Sequence, residues 1–149
     1  MASSSSEIAG KWTYRSFHNN PKPVGDDPKA ALDLIFAEAD LTIEAVSDTD
    51  FFALLDWQGG GMDLKGTMTR GSPDTPVAFS IVGYGRPGTS TDGWEYAYNG
   101  CLAYKWPDGV RQVPALIGSI VRVKPHGSNS PAGYTASFVA VSQEPVPTR

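Results

Sequence analysis

The chain has 149 residues, a formal net charge of −4 and a single cysteine, Cys101. This length suits one domain with a full hydrophobic core, and a lone cysteine excludes an internal disulfide. The 12 lysines and arginines are scattered along the chain, which argues against the concentrated positive charge that nucleic-acid binding needs.

No stretch of the sequence reaches the roughly 20 apolar residues that are needed to cross a bilayer. Residues 1–10 have neither the basic region nor the apolar region of a secretory signal. We therefore expect a cytoplasmic protein that has neither a membrane nor a nucleic acid as its partner.

The first half of the chain predicts a mobile segment over residues 1–9, then strands and one short helix. Residues 11–17 are aromatic and typical of a strand. Asp27 followed by Pro28 is typical of a helix start, so a short helix is predicted over 28–34. Residues 35–46 match both helical and strand spacing, and their β-branched side chains favour a turn of helix followed by a strand. Two more strands, 50–57 and 62–70, form a predicted hairpin around a glycine-rich turn.

The second half of the chain predicts four further strands, which cover residues 77–85, 94–106, 115–123 and 134–142. Gly100 falls inside the second of them, where it predicts a bulge or a bend. A tail follows over 144–149. Eight sequential strands with little helix predict a single all-β domain over 10–143, an eight-stranded antiparallel up-and-down β-barrel with one short helix.

The stretch GYGRPGTSTDGW, residues 83–94, contains the G-x-G-x-x-G spacing of a dinucleotide-binding loop. Such a loop functions between a strand and a helix, because the helix N-terminus holds the pyrophosphate. Here Pro87 falls inside the motif, and alternating aromatic residues follow instead of a helical pattern. We interpret the stretch as a hairpin loop whose glycines adopt positive φ.

Few residue patterns in this sequence are typical of catalysis or metal binding. His18 and His126 lie in no metal-spacing motif, so no metal and no cofactor are predicted. Cys101 lies within a strand, where a packing role is favoured over a nucleophilic one. Four carboxylates in or beside strands are interpreted as solvent-facing, with acid–base chemistry as the alternative for any pair that faces an apolar interior. They are Glu38, Glu44, Asp56 and Glu95.

Tryptophan and tyrosine recur in the predicted strands, and such rings either grip a planar ligand or fill the barrel. The candidate ligand-binding residues are Tyr14, Arg70, Trp94, Tyr96, Tyr98 and Arg122. The four aromatic residues would line or cap a cavity. An arginine, Arg70 or Arg122, would orient a polar end of the ligand.

The opening EIAGKW resembles the G-x-W motif of the calycin barrels, which include lipocalins, fatty-acid-binding proteins and avidins. The matching residues are Gly10 and Trp12. The resemblance implies that Trp12 closes one end of an up-and-down barrel and that a late basic residue packs across it. Arg122 is the nearest candidate for that basic residue, although it falls in the penultimate predicted strand. The tryptophan- and tyrosine-rich segment GWEYAY is similar to the strands of avidin-like barrels.

Three functions remain open from the sequence. The first is a binding protein for a small apolar or aromatic molecule held in the barrel cavity. The second is a cofactor-free enzyme of the isomerase or cyclase type that moves a proton in the same cavity. The third is an interaction module with a filled barrel. Strands such as 50–57 are apolar on both faces, which predicts a homo-oligomer, either a dimer or a tetramer.

Overall fold

A computed structural model describes residues 7–22, 24–104 and 108–144. Eight antiparallel strands follow one another around a closed barrel, and the last strand pairs with the first. The strands are β1 (Gly10–Phe17), β2 (Ile35–Ala45), β3 (Asp50–Trp57), β4 (Gly60–Thr69), β5 (Ala78–Gly85), β6 (Glu95–Leu102), β7 (Ala115–Arg122) and β8 (Thr135–Ser142). The predicted fold class is confirmed.

The strands form where the sequence alternates between apolar and polar residues. In β8, Ala136, Phe138 and Ala140 are buried, while Ser137 and Val139 between them are exposed. Each strand therefore directs every second side chain into the barrel. The same alternation in all eight strands builds one continuous core.

The one helix in the described part of the chain is a 3₁₀ helix over Pro28–Leu34, between β1 and β2. The side chain of Asp27 accepts a hydrogen bond from the backbone N–H of Lys29 at 3.0 Å, and Pro28 occupies the first helical turn. This confirms the predicted helix start. No helix among the described residues is long and apolar enough to cross a membrane.

Three local predictions are corrected. Strand β2 begins at Ile35, so the turn of helix predicted at the start of residues 35–46 is wrong. The pairing of β6 with both neighbours is continuous through Gly100, so the predicted bulge is wrong. A Cβ at Gly100 would come within 2.2 Å of the Ile117 carbonyl oxygen, so the glycine is needed for close packing of the strands. The strand also ends at Leu102, short of the predicted residue 106.

Some predicted boundaries fall partly outside the described residues. They are the first six residues of the segment 1–9, residues 105–106 at the end of the predicted strand, and residues 145–149 of the tail.

The barrel has two ends, which the strand directions define. We call the end where β1 begins the lower end and the end where β1 finishes the upper end. Because the strands alternate in direction, β2, β4, β6 and β8 begin at the upper end. The upper end carries the loop with the 3₁₀ helix, the turn after β3, the β5–β6 loop over 86–94 and the β7–β8 loop over 123–134.

Side chains fill the lower half of the barrel. Trp12 is buried there, and its indole Nε1 donates a hydrogen bond to the Ile8 carbonyl oxygen at 3.0 Å. Phenylalanine rings lie directly against strand glycines, because a Cβ at Gly66 would come within 2.1 Å of the Phe51 ring. Pairing large rings with glycines packs the narrow interior of a small barrel.

The outer surface of the barrel differs from strand to strand. The outward residues of β7 and β8 carry no charge, and they include the exposed side chains of Ile117, Val139 and Val141. By contrast, β1 and β2 present an ion pair between Arg15 and Glu38 at 3.4 Å. An uncharged outer face is compatible with the predicted homo-oligomer, which stays a prediction.

Candidate functional site

A cavity of about 520 Å³ opens at the upper end of the barrel. This volume falls within the range of about 300–1,000 Å³ that is usual for small-molecule sites. Seven of its 15 lining residues carry rings. The ring-bearing lining residues are Tyr14, Phe36, Trp57, Trp94, Tyr96, Tyr98 and His126.

Three flat rings stand in a row at the rim of the cavity. The ring centroids of Trp57 and Trp94 are 6.2 Å apart with an interplanar angle of 23°. His126 stacks on Trp94 at 4.0 Å and 13°. The row joins the end of β3, the start of β6 and the β7–β8 loop, so three separate parts of the chain build one aromatic wall.

The β5–β6 loop holds Trp94 in this row. Arg86 anchors the loop, because its guanidinium donates hydrogen bonds to Asp56 at 2.8 Å and to Asp63 at 2.9 Å. These hydrogen-bonded carboxylates raise the pKa of Arg86. Thr91 is buried within the loop and donates to the Gly61 carbonyl oxygen at 2.7 Å. The loop is therefore tied to β3 and β4 by polar contacts.

The G-x-G-x-x-G stretch runs from the end of β5, which holds Gly83 and Gly85, into this loop, which holds Gly88. Gly88 and Gly93 adopt φ values of 76° and 84°, and strand β6 follows directly at Glu95. The interpretation as a hairpin loop with positive-φ glycines is confirmed. Gly85 has a further role, because a Cβ there would lie 1.5 Å from the Thr91 carbonyl oxygen.

Arg122 lies at the upper end of β7 and is only 5% exposed. Its guanidinium carbon lies 5.1 Å from the ring centroid of Tyr134, 5.6 Å from that of Tyr96 and 5.8 Å from that of Phe36. Nε donates to the Tyr96 hydroxyl at 2.9 Å, and Nη1 donates to the Pro131 carbonyl oxygen at 3.1 Å. The positive charge is thus enclosed by aromatic faces and neutral oxygens.

Tyr96 links Arg122 to His126. The Tyr96 hydroxyl lies 2.6 Å from His126 Nε2 while it accepts the hydrogen bond from Arg122. Burial and the positive charge of Arg122 lower the pKa of His126, so the imidazole is neutral at neutral pH. In the tautomer that carries its proton on Nδ1, the neutral ring accepts at Nε2 and the phenol donates to it. The three residues form one hydrogen-bonded chain that joins guanidinium, phenol and imidazole.

A second histidine–tyrosine pair lies on the other side of Arg122. The His18 ring nitrogen Nδ1 and the Tyr134 hydroxyl form a hydrogen bond. The His18 ring also meets the Phe36 ring at 5.1 Å and 72°. Both histidines therefore belong to the aromatic rim, and no group of three or more metal-binding side chains exists among the described residues.

Two tyrosines line the deeper part of the cavity. Tyr14 and Tyr98 are each 2% exposed, and their rings meet edge to face at 6.4 Å. Burial raises the pKa of Tyr14, and it raises the pKa of Tyr98 well above the ordinary value. Both phenols therefore keep their protons throughout the ordinary pH range.

Five of the six candidate residues from the sequence lie around this cavity, namely Tyr14, Trp94, Tyr96, Tyr98 and Arg122. The sixth, Arg70, directly follows β4 and therefore lies at the lower end of the barrel. There its exposed side chain forms an ion pair with Asp48. The expectation that Arg70 meets a ligand in the same cavity is corrected, because β4 runs away from the upper end.

The residue implied by the calycin resemblance to pack across Trp12 is not Arg122. Trp12 lies in the lower half of the barrel, whereas Arg122 ends β7 at the upper end. The sequence analysis also did not predict that Trp57, Phe36 and His126 line the cavity. The position of Trp57 just before a hairpin turn was the available signal, since that turn lies at the same end as the start of β6.

Comparisons with protein-family models, with curated proteins and with solved structures find no match for this chain. What is shown is the architecture: a closed eight-stranded antiparallel barrel of the kind that the calycin resemblance implies.

Proposed function

We propose that this protein binds a small aromatic or apolar molecule in the cavity at the upper end of the barrel. The observation that carries the proposal is the cavity of about 520 Å³ lined by seven ring-bearing side chains. Flat apolar faces with a few polar tips suit a planar ligand.

The shape of the interior supports a single ligand near the mouth. Beneath the cavity lies a space of only about 10 Å³, among Leu41, Leu64, Phe79, Leu116 and Phe138. That space is at most the size needed for one water molecule, so the interior beneath the cavity has no room for a ligand. An eight-stranded barrel has a bore that suits one small ligand.

We propose further that the calycin resemblance extends to this binding mode. The buried Trp12 at the closed end and the cavity at the opposite end support this extension. The displaced position of Arg122 speaks against a close relation to calycins that place a basic residue across that tryptophan.

Fluorescence titration with N-phenyl-1-naphthylamine, a neutral aromatic probe, tests the proposal. We expect saturable binding to the native protein. Trp94→Ala should weaken it by roughly 30-fold, since a central tryptophan typically contributes about 2 kcal/mol or more. Tyr84→Ala is the matched control, because Tyr84 is 44% exposed on the outer surface of β5. Equal affinity in all three proteins would show that the probe binds elsewhere and would overturn the proposal.

A second candidate function is a cofactor-free isomerase or cyclase. The chain of Arg122, Tyr96 and His126 favours it, because a phenol between a cation and a neutral imidazole can pass its proton to the imidazole. The resulting phenolate would be stabilised by Arg122 and could remove a proton from a bound substrate.

Deuterium exchange tests this second candidate. The probe is 2-tetralone, a bicyclic ketone with acidic α-protons, incubated in D₂O and followed by NMR. The enzyme function predicts faster exchange with the native protein than with His126→Gln or with buffer alone. Equal rates in the three samples would count against acid–base chemistry and would leave the binding function untouched.

The predicted homo-oligomer is part of this proposal as well. The uncharged outer face of β7 and β8 supports it, since exposed apolar side chains on neighbouring strands favour association. Native mass spectrometry of freshly purified protein would count the subunits and detect any small molecule that copurifies. A purely monomeric spectrum over a range of concentrations would contradict this part.

A further inference from the structure

We propose that the ligand of the upper cavity is a monoanion, an aromatic carboxylate whose acid group pairs with Arg122. This inference rests on the proposed binding function and specifies its ligand class. It is drawn from the burial of Arg122, from the acids around it and from the hydrogen-bond donors that it leaves free.

A buried guanidinium without a counter-anion is unfavourable, because desolvation of a charge is costly unless an opposite charge compensates for it. Arg122 is only 5% exposed. Its neighbours supply three aromatic faces and two neutral oxygens, which are weaker partners than a carboxylate.

The acids near the cavity already have other cationic partners. Glu38 lines the rim, but its side chain is 53% exposed and pairs with Arg15 at 3.4 Å. Glu95, at the start of β6, pairs with Lys124 at 3.4 Å.

Asp56 and Asp63 on the outer surface are both held by Arg86. None of the ion pairs within the described part of the chain includes Arg122.

Arg122 also keeps free hydrogen-bond donors. Nε and Nη1 each have one acceptor, whereas Nη2 has none among the residues described. Nη2 is not fully enclosed by protein atoms, so a partner from outside the protein can reach it. Because Arg122 lines the cavity, a ligand bound there can supply the missing acceptors. Nη1 keeps one N–H and Nη2 keeps two, which are enough donors for the two oxygens of a carboxylate.

The rest of the cavity favours a single negative charge on an aromatic body. Arg122 is the one lysine or arginine among the described lining residues, and the His126 ring is neutral at neutral pH because its pKa is lowered. A phosphate dianion would leave one of its two charges uncompensated, because Arg122 supplies a single positive charge. When the carboxylate of a flat aromatic acid pairs with Arg122, the rings of that acid can contact Trp57 and Trp94.

Competition between two matched probes tests the inference. At neutral pH, 2-naphthoate and 2-naphthamide have nearly the same shape and differ in charge. Each would be titrated against N-phenyl-1-naphthylamine bound to the native protein. We expect 2-naphthoate to compete about 10- to 100-fold more strongly, the range for a charge-assisted hydrogen-bonded contact.

Substitutions at Arg122 locate the effect. Arg122→Met should remove the preference for 2-naphthoate over 2-naphthamide, which is read as the ratio of their two affinities whatever the variant's affinity for N-phenyl-1-naphthylamine, whereas Arg122→Lys should retain part of the preference. Arg70→Met is the matched control: it makes the same charge change at the lower end and should leave the preference intact.

The outcomes distinguish the two proposals. Equal competition by 2-naphthoate and 2-naphthamide on the native protein would overturn the anionic ligand and leave the binding function standing. A preference that survives Arg122→Met would overturn the role of Arg122. No saturable binding of N-phenyl-1-naphthylamine would overturn the proposed function itself. If Arg122→Met does not fold, the native comparison and Arg122→Lys still decide the question.

Discussion

The two halves of the barrel contain similar aromatic side chains, but the lower half is filled and the upper half holds a cavity. In the lower half, rings such as Phe51 and Phe79 lie against strand glycines and fill the bore. In the upper half, Trp57, Trp94 and His126 stack on one another at the rim and leave a cavity below. The difference shows that aromatic content alone does not decide whether a small barrel is filled. What decides it is whether each ring packs across the bore or along its wall.

Polar atoms explain why the upper half stays open. Tyr96, Arg122 and His126 satisfy one another through hydrogen bonds along the wall. A side chain held to its neighbour in this way is not free to cross the bore, and burying it there would leave its polar atoms unpaired. The lower half has few such groups and packs as an ordinary apolar core.

The largest expected effect lies in the lower half. Leu116 is 1% exposed, so Leu116→Ala should lower the free energy of unfolding by about 2–5 kcal/mol through lost burial and a new cavity. Urea denaturation measures this change. The affinity of the remaining folded protein for N-phenyl-1-naphthylamine should stay unchanged, since Leu116 does not line the upper cavity. A loss below about 1 kcal/mol would mean that the lower half is loosely packed.

A smaller effect is expected at the anchor of the upper rim. Arg86→Met removes ion pairs with Asp56 and Asp63, whose side chains are about half exposed, so the loss of stability should be about 1 kcal/mol. Binding of the neutral probe should weaken several-fold, because the loop that carries Trp94 loses its anchor. Lys65→Met, which changes an exposed charge on β4, is the control. Unchanged probe affinity would mean that the remaining contacts of the loop, such as the hydrogen bonds of Ser90 and Thr91, are sufficient to hold it.

A still smaller effect on stability is expected at the deeper part of the cavity. Tyr98 lines the cavity, and its hydroxyl has no hydrogen-bond partner among the described residues. Tyr98→Phe should therefore change the free energy of unfolding by less than about 0.5 kcal/mol. Thermal unfolding would measure it, and a loss of about 2 kcal/mol would reveal a hydrogen bond that the proposed cavity does not account for.

The smallest effect is a pH dependence at the rim. The pKa of His126 lies below its ordinary value of 6.5 in the folded protein, chiefly because of burial and then because of Arg122. The unfolded chain therefore takes up the proton first as the pH falls. Stability should decrease as the pH falls below about 6.5 and should be independent of His126 above it.

His126→Gln should flatten this part of the stability profile. An unaltered profile in that variant would assign the dependence to other groups. NMR titration of the His126 ring measures its pKa directly.

Much of the fold could be predicted from the sequence, because local patterns decide it. Alternation placed the eight strands, and the pair Asp27–Pro28 placed the start of the helix. The glycines and the proline of residues 83–94 correctly favoured a hairpin loop over a dinucleotide-binding loop. Gly100 was misread because a glycine that permits close packing and one that forms a bulge look the same in sequence.

The site was predictable only in part. Alternation grouped Tyr96 with Tyr98, but which face points inward depends on the strand register, which a single strand does not reveal. The separation of Arg70 from Arg122 was available in principle, because the fourth and seventh strands of an up-and-down barrel finish at opposite ends. The hydrogen bond between Tyr96 and His126 joins residues that are 30 positions apart in the sequence, and no local pattern indicates it.

The pairing of β1 with β8 has a consequence for how the molecule folds. Every other pair of neighbouring strands is a hairpin of successive strands, whereas this seam joins Trp12 to Ser142, near opposite ends of the chain. Contacts between segments so distant in sequence form slowly, because the intervening chain must first be ordered. We expect seam formation to be the rate-limiting step of folding, so the hairpins should gain protection from hydrogen exchange before the first and last strands do.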